Sequence, residues 1–164
     1  MKTRILVSAC LIGQPVRYDG SAATVTSAIL DRWIREGRLV SFCPEVAGGF
    51  PVPRPSAEIE GDGGSAVLRG KARVVDESGR DLTTYFVTGA NEALRAAQDQ
   101  DVRLAVLKDG SPSCGSSLIH GGDFTGKTRP GMGVTTALLE NHGIRVFSEQ
   151  QIQEADDYLA QIEA

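Results

Sequence analysis

Three cysteines, Cys10, Cys43 and Cys114, make up the whole thiol content of the sequence, and each follows a short apolar run. Thiolates ligate soft metals and iron-sulfur clusters or act as nucleophiles, whereas neutral thiols simply fill apolar space. Ile5-Leu6-Val7-Ser8-Ala9 precedes Cys10, Leu39-Val40-Ser41-Phe42 precedes Cys43, and Leu104-Ala105-Val106-Leu107 lies shortly before Cys114. Runs of this kind, rich in branched side chains and bounded by Gly, Pro and Ser, read as buried strands. Ligands of open α/β sheets bind beyond the carboxyl ends of the strands, so thiols delivered to that edge can converge on one cofactor.

The absence of a fourth cysteine is informative. An iron-sulfur cluster usually takes four cysteine ligands, so a three-cysteine site leaves one iron open. A catalytic zinc also uses three protein ligands and an open position, which His120 can close. Three-cysteine zinc sites with a nearby Glu occur in nucleobase deaminases, but their H-x-E and P-C-x-x-C signatures do not occur in this sequence. Residue types alone leave a cluster, a zinc ion and plain buried thiols open for Cys10 and Cys43. Cys114, within Ser111-Pro112-Ser113-Cys114-Gly115-Ser116-Ser117, is harder to read as core.

Cys43-Pro44-Glu45 puts a carboxyl two residues past one thiol. Glu45 is the candidate general acid/base, a role that burial supports by raising a carboxyl pKa. Ser111 and Ser113 flank Pro112, where their hydroxyls can orient a substrate or bond their own backbone. Lys108, Arg17 and Arg54 can offset the charge of a cluster or substrate; taken singly they read as solvated side chains. Gly121 to Thr128 meets the spacing G-x-x-x-x-G-K-[ST], yet Arg129-Pro130-Gly131 stands where a phosphate loop would open its helix, which argues against nucleotide hydrolysis.

The elements that must position these residues alternate. A chain of 164 residues with 41% hydrophobic content suits one domain, 1–164, with a core that needs no disulfides. The spacing predicts a first helix through Val25, Ile29 and Trp33, ended by Gly37. Residues 44–56, with four prolines, read as a loop that resists helix and strand, and 59–75 as a hairpin excursion, mobile and chemically idle. Asp81 caps a helix carrying Phe86, Ala90, Ala93, Leu94 and Ala97. A glycine-rich loop from Gly110 to Gly133 precedes a helix over 134–141, a strand over 144–147, and a last helix opened by a Ser148/Gln151 capping box. The expected fold is α/β: a mainly parallel, Rossmann-like or flavodoxin-like sheet with flanking helices and a small β-hairpin. No stretch matches a membrane span, the start reads as strand instead of a signal peptide, and widely spaced thiols suit a reducing cytoplasm. The net charge of -4 gives no drive toward nucleic acid, which leaves small molecules as partners.

Ser8-Ala9-Cys10-Leu11, Val16-Arg17-Tyr18-Asp19-Gly20, Cys43-Pro44-Glu45-Val46, Pro53-Arg54, Leu107-Lys108 and Ser111-Pro112-Ser113-Cys114-Gly115 together resemble the thiouracil desulfidase family. Gly126, Gly133-Val134-Thr135 and Ser148-Glu149 extend the resemblance over nearly the whole chain. It implies a [4Fe-4S] cluster held by Cys10, Cys43 and Cys114 with one iron free of protein. It also implies removal of sulfur from thiolated uracil, 2- or 4-thiouracil, giving uracil and hydrogen sulfide, for which a non-redox mechanism is expected. Glu45 and Ser111 match positions expected to assist catalysis, while Ser113, Lys108 and Asp19 fall in the matching segments as substrate-binding candidates. The competing expectations are a non-catalytic iron-sulfur or redox-sensing module and a three-cysteine zinc hydrolase or deaminase.

Overall fold

Parallel strands with apolar side chains on both faces must be covered on both sides, and the computed structural model, which describes residues 2–164, meets that demand with two helical layers. Strand β1 (Arg4–Ser8) runs into a 3-10 turn at Ala9–Ile12; α1 (Ala28–Arg35) then leads to β2 (Leu39–Phe42) and a one-turn helix α2 (Pro44–Ala47). An excursion follows: β3 (Ala57–Glu60), α3 (Gly64–Leu68) and β4 (Arg73–Asp76). The long α4 (Thr83–Asp99) returns the chain to β5 (Val102–Leu107), and β6 (Leu118–His120) and β7 (Thr128–Pro130) make a small hairpin. Helix α5 (Val134–Asn141), β8 (Arg145–Ser148) and α6 (Ile152–Glu163) end the chain.

The central sheet has four strands in the order β2-β1-β5-β8, all parallel. Val7 stands opposite Ser41 on one side and Val106 on the other. Ile5, Val7, Leu104 and Val106 face Leu30 and Trp33 of α1 and Ile152, Ala155 and Leu159 of α6. Leu6, Ala105 and Leu107 face Ala93, Leu94 and Ala97 of α4 and Leu139 of α5. Each such aliphatic side chain taken from water contributes about 1.5–3 kcal/mol. Trp33 is fully buried, and its Nε1 donates to Asp156 Oδ1 at 3.1 Å, which satisfies its polar edge. Ser27 Oγ accepts from Leu30 N at 3.2 Å to start α1, and Gly37, at φ +70°, allows the turn out of it.

The α/β class, the parallel sheet and the helices at 28–35, 83–99 and 134–141 agree with the sequence reading. Segment 44–56 differs, because it opens with α2. Pro44 occupies the first helical position, where a missing N–H costs nothing. The 57–76 excursion is an antiparallel pair as expected, but α3 interrupts its turn and it is not an idle insertion. Ile59, Val67 and Val74 are at most 3% exposed and pack with Phe86 and Ala90 of α4 in a third apolar cluster. The 121–127 segment joins two strands, so Gly-Lys-Thr ends in β7 and not at a helix. Half of the Ser148/Gln151 box forms: Gln151 Oε1 accepts from Ser148 N at 3.0 Å, while Ser148 Oγ takes Gln150 N at 3.2 Å. Asp81 Oδ1 accepts from Thr83 N at 2.9 Å at the head of α4.

Arg38, 7% exposed, ties the chain ends together. It donates to Glu163 Oε2 and Oε1 at 2.9 and 3.1 Å and to Thr3 O at 3.1 Å, and Thr3 N donates back to Glu163 at 3.0 Å. These donors, Arg38 first, hold the Glu163 carboxyl down at about 2 from an ordinary 4.5. Its contribution is therefore complete above pH 4.5 and is lost as the pH falls toward 2. Glu163→Gln is expected to lower the melting temperature at pH 7 by about 2–4 °C. Circular-dichroism melts should show that difference closing as the pH drops through the same window.

Candidate active site

Because β1, β2 and β5 are parallel, they end at one edge. Cys10 sits in the 3-10 turn after β1, Cys43 immediately before α2, and Cys114 on the turn that follows β5. All three are free thiols lining one cavity of about 150 Å³. From β1 the chain first adds β2 on one side and later β5 and β8 on the other. The cavity lies at that change of direction, where open α/β sheets bind ligands.

Burial is the main reason that these thiols resist ionisation. It pushes Cys10 up to about 11 and Cys114 up to about 12, and raises Cys43. Charge on Cys43 adds to the effect at both of the others, as befits thiols facing one space. Ser113 and Ser8 oppose it at Cys114 through their hydroxyls. A cationic centre among the three would reverse the balance, since metal ligation deprotonates thiols outright. No three His, Cys, Asp or Glu side chains among the described residues stand close enough to share a single metal ion. A zinc ion needs its donors about 2.3 Å from one point, whereas a multi-iron cluster spreads its thiolates over separate irons. Three free thiols lining one cavity are a donor set that such a cluster could use. His120 lines the same cavity but donates Nδ1–H to Gly110 O at 2.8 Å.

Beside Cys114 lies a chain of polar contacts. Ser113 Oγ donates to Glu45 Oε2 at 2.9 Å and stands 3.6 Å from Cys114 Sγ. Ser111 Oγ accepts from Cys114 N at 2.8 Å and lies 3.3 Å from Ser113 Oγ. Arg54 donates Nε–H to Glu45 Oε1 at 3.1 Å and Nη2–H to Val16 O at 2.8 Å. Both oxygens of Glu45 thus accept hydrogen bonds. Arg54 is not the solvated side chain that the sequence suggests: it is 7% exposed and clamps the Val16 loop to the glutamate. Its place in the Pro53-Arg54 motif was the available signal. Ser8 Oγ accepts from Lys108 N at 2.9 Å; sequence reasoning passed over it as strand, although a hydroxyl closing an apolar run was visible.

Other expected residues fall differently. Arg17 and Lys108 line the cavity, and the Lys108 ammonium is held by Glu149 Oε2 at 2.9 Å and Asp109 O at 3.0 Å. Asp19 is exposed and lies off the cavity lining. Its Oδ1 accepts from Ser21 N and Oγ at 3.0 and 2.6 Å, so it fastens the loop that carries Arg17 and Tyr18.

Backbone contacts without room for a side chain set the elements at these distances. A Cβ on Gly89 would meet Pro44 O at 2.0 Å, and one on Gly48 would meet Tyr85 O at 2.2 Å, so α2 and Glu45 rest directly on α4. A Cβ on Gly133 would fall 2.5 Å from the Ser113 carbonyl. The head of α5 consequently donates Val134 N and Thr135 N to Pro112 O and Ser113 O at 2.8 and 2.9 Å, fixing the Cys114 turn.

The fold and site define a class: a doubly wound α/β protein with a three-thiol cavity at the sheet's switch point. A family model described as 2-thiouracil desulfurase matches residues 5–151, and the chain belongs to that family. "Uncharacterized protein YbbK" of Bacillus subtilis (strain 168) is 44% identical over 150 residues, 92% of this chain and 98% of the relative. A solved structure described as the [4Fe-4S]-dependent thiouracil desulfidase TudS is similar at 51% identity and a TM-score of 0.90, over 98% of this chain and 99% of that one.

Two outcomes are expected from this geometry. Gly89→Ala should cost about 1–3 kcal/mol in denaturant unfolding, because the new methyl overlaps backbone that must shift with α2. In metal-free protein at pH 8, Cys10 should alkylate on the order of 100-fold more slowly than an ordinary thiol. Its rate should climb with pH until about 11, as mass spectrometry of the trapped thiols can measure.

Proposed function

We propose that residues 1–164 act as one [4Fe-4S]-binding desulfidase domain, which removes sulfur from 2- or 4-thiouracil to give uracil and hydrogen sulfide. The observation that carries this reading is the lining of one cavity by Cys10, Cys43 and Cys114 with the Glu45–Ser113 pair beside them, in a chain of the 2-thiouracil desulfurase family. The neighbour's description as [4Fe-4S]-dependent supports the cofactor. The three cysteines would hold the cluster, leaving one iron without a protein ligand. When bound, the cluster supplies a soft Lewis acid suited to a thiocarbonyl sulfur.

The protein's own groups then perform non-redox hydrolysis. Glu45 takes a proton from the water that attacks the ring carbon and returns it as the carbon–sulfur bond breaks, so water and thiouracil become uracil and hydrogen sulfide. Arg54 on Oε1 and Ser113 on Oε2 orient that carboxylate. Ser111 holds the Cys114 backbone and, with Ser113 and Lys108, borders the space for the base. A sensing module would need the thiols but not a carboxylate oriented beside them. Three free thiols suit a reducing cytoplasm, and no helix among the described residues is long and apolar enough to cross a membrane.

Anaerobic purification with iron and acid-labile sulfide analysis, followed by 2-thiouracil or 4-thiouracil and a sulfide assay, tests the reading. Brown protein that releases sulfide is expected; colourless protein holding only zinc overturns it. Glu45→Gln should keep its iron and lose about 10²–10⁴-fold in turnover, and undiminished desulfuration would remove Glu45 from the mechanism.

A further inference from the structure

In the cavity, most side-chain acceptors already hold a hydrogen bond from the protein. Asp109 Oδ1 accepts from the backbone N–H groups of Gly110, Ser116, Ser117 and Leu118 at 3.0, 3.0, 3.2 and 3.1 Å, and its Oδ2 takes the Ser117 hydroxyl. Glu45 accepts from Arg54 and Ser113. Ser111 Oγ is taken by Cys114 N, and Ser8 Oγ by Lys108 N. Tyr18 and Ser56 lie exposed at the rim.

His120 differs in keeping one ring nitrogen with no protein hydrogen bond. Its Nδ1–H donates to Gly110 O at 2.8 Å, and Gly110 N donates to Leu118 O at 3.1 Å in a bridge between that glycine and β6. The ring is thereby tied to the loop that leads to Cys114. With the proton on Nδ1, the neutral ring offers a bare lone pair at Nε2. That atom has no protein partner among the described residues and, unlike Thr135 Oγ1, is not sealed from solvent. A thiolated pyrimidine carries ring N–H groups beside its thiocarbonyl, and a donor taken from water into a cavity without an acceptor costs binding.

We infer that His120 Nε2 accepts a ring N–H of the thiolated base, which makes His120 a specificity-determining residue of the site. The inference rests on the desulfidase reading and assigns His120 a hydrogen-bonding role in place of a metal-ligating one. The same N–H persists in uracil, so product binding reports the contact without turnover.

His120→Asn preserves a donor toward Gly110 O and removes the Nε2 acceptor; His120→Gln places an amide oxygen near the Nε2 position. In cluster-loaded protein, His120→Asn should retain wild-type iron and melting temperature, bind uracil about tenfold more weakly and raise KM by a similar factor with kcat little changed. His120→Gln should recover most of the loss. One of 1-methyl- and 3-methyl-2-thiouracil should bind wild type about tenfold more weakly than 2-thiouracil, and His120→Asn should not distinguish it. Wild type that releases sulfide while His120→Asn binds every ligand unchanged overturns this inference alone, as does loss of iron from His120→Asn. Wild type that releases no sulfide from either thiouracil overturns the desulfidase reading and this inference with it.

Discussion

The site exists because β1 lies between β2 and β5 and runs parallel to both. Parallel pairing brings like ends together, so the residues that follow each strand emerge at one edge. Reversal of a five-residue strand such as β1 would carry its thiol roughly 16 Å to the opposite edge and dissolve the cavity. The apolar burial that enforces the sheet, with Ile5 and Val7 on one face and Leu6 on the other, is thus also what gathers Cys10, Cys43 and Cys114.

That burial has a cost at the edge itself. Thiols in apolar surroundings stay protonated, and the nearness of Cys43 to both others makes a second or third negative charge harder to place. The protein offsets this with hydroxyl donors, Ser113 and Ser8 at Cys114, and with the positive charges of Arg17 and Lys108 near Cys10. The pairing of Arg54 with Glu45 belongs to the same economy of charge. Buried ion pairs contribute little net stability, because desolvation offsets attraction. What this one supplies is orientation: a guanidinium held by Val16 O and Pro51 O presents Nε to a carboxylate whose other oxygen faces Ser113.

Much of this was readable along the chain. Apolar runs before Cys10, Cys43 and Cys114 marked strands, and Gly37 and the 134–141 periodicity marked helix limits, because these signals are local. Placement beside Cys43 and Cys114 singled out Glu45 and Ser111, and the family motifs contain both. Arg54 looked like solvent-facing charge, because its partners lie 9 and 38 residues away and burial leaves no mark on a single arginine. Asp19 sits inside a matching motif, and only the folded loop reveals that its hydrogen bonds close its own turn.

Residue order alone specified the alternation of strands and helices, the number of thiols and the absence of a fourth, since periodicity and composition need no partner. Long-range packing supplied the rest. Gly89 against Pro44 and Gly133 against Ser113 are contacts between elements far apart in sequence, and they set where Glu45 and the Cys114 turn come to rest. A glycine's meaning depends on what approaches it. The same holds for His120, an ambiguous ligand on paper, whose free nitrogen emerges from the hydrogen bond that the folded chain gives to the other one.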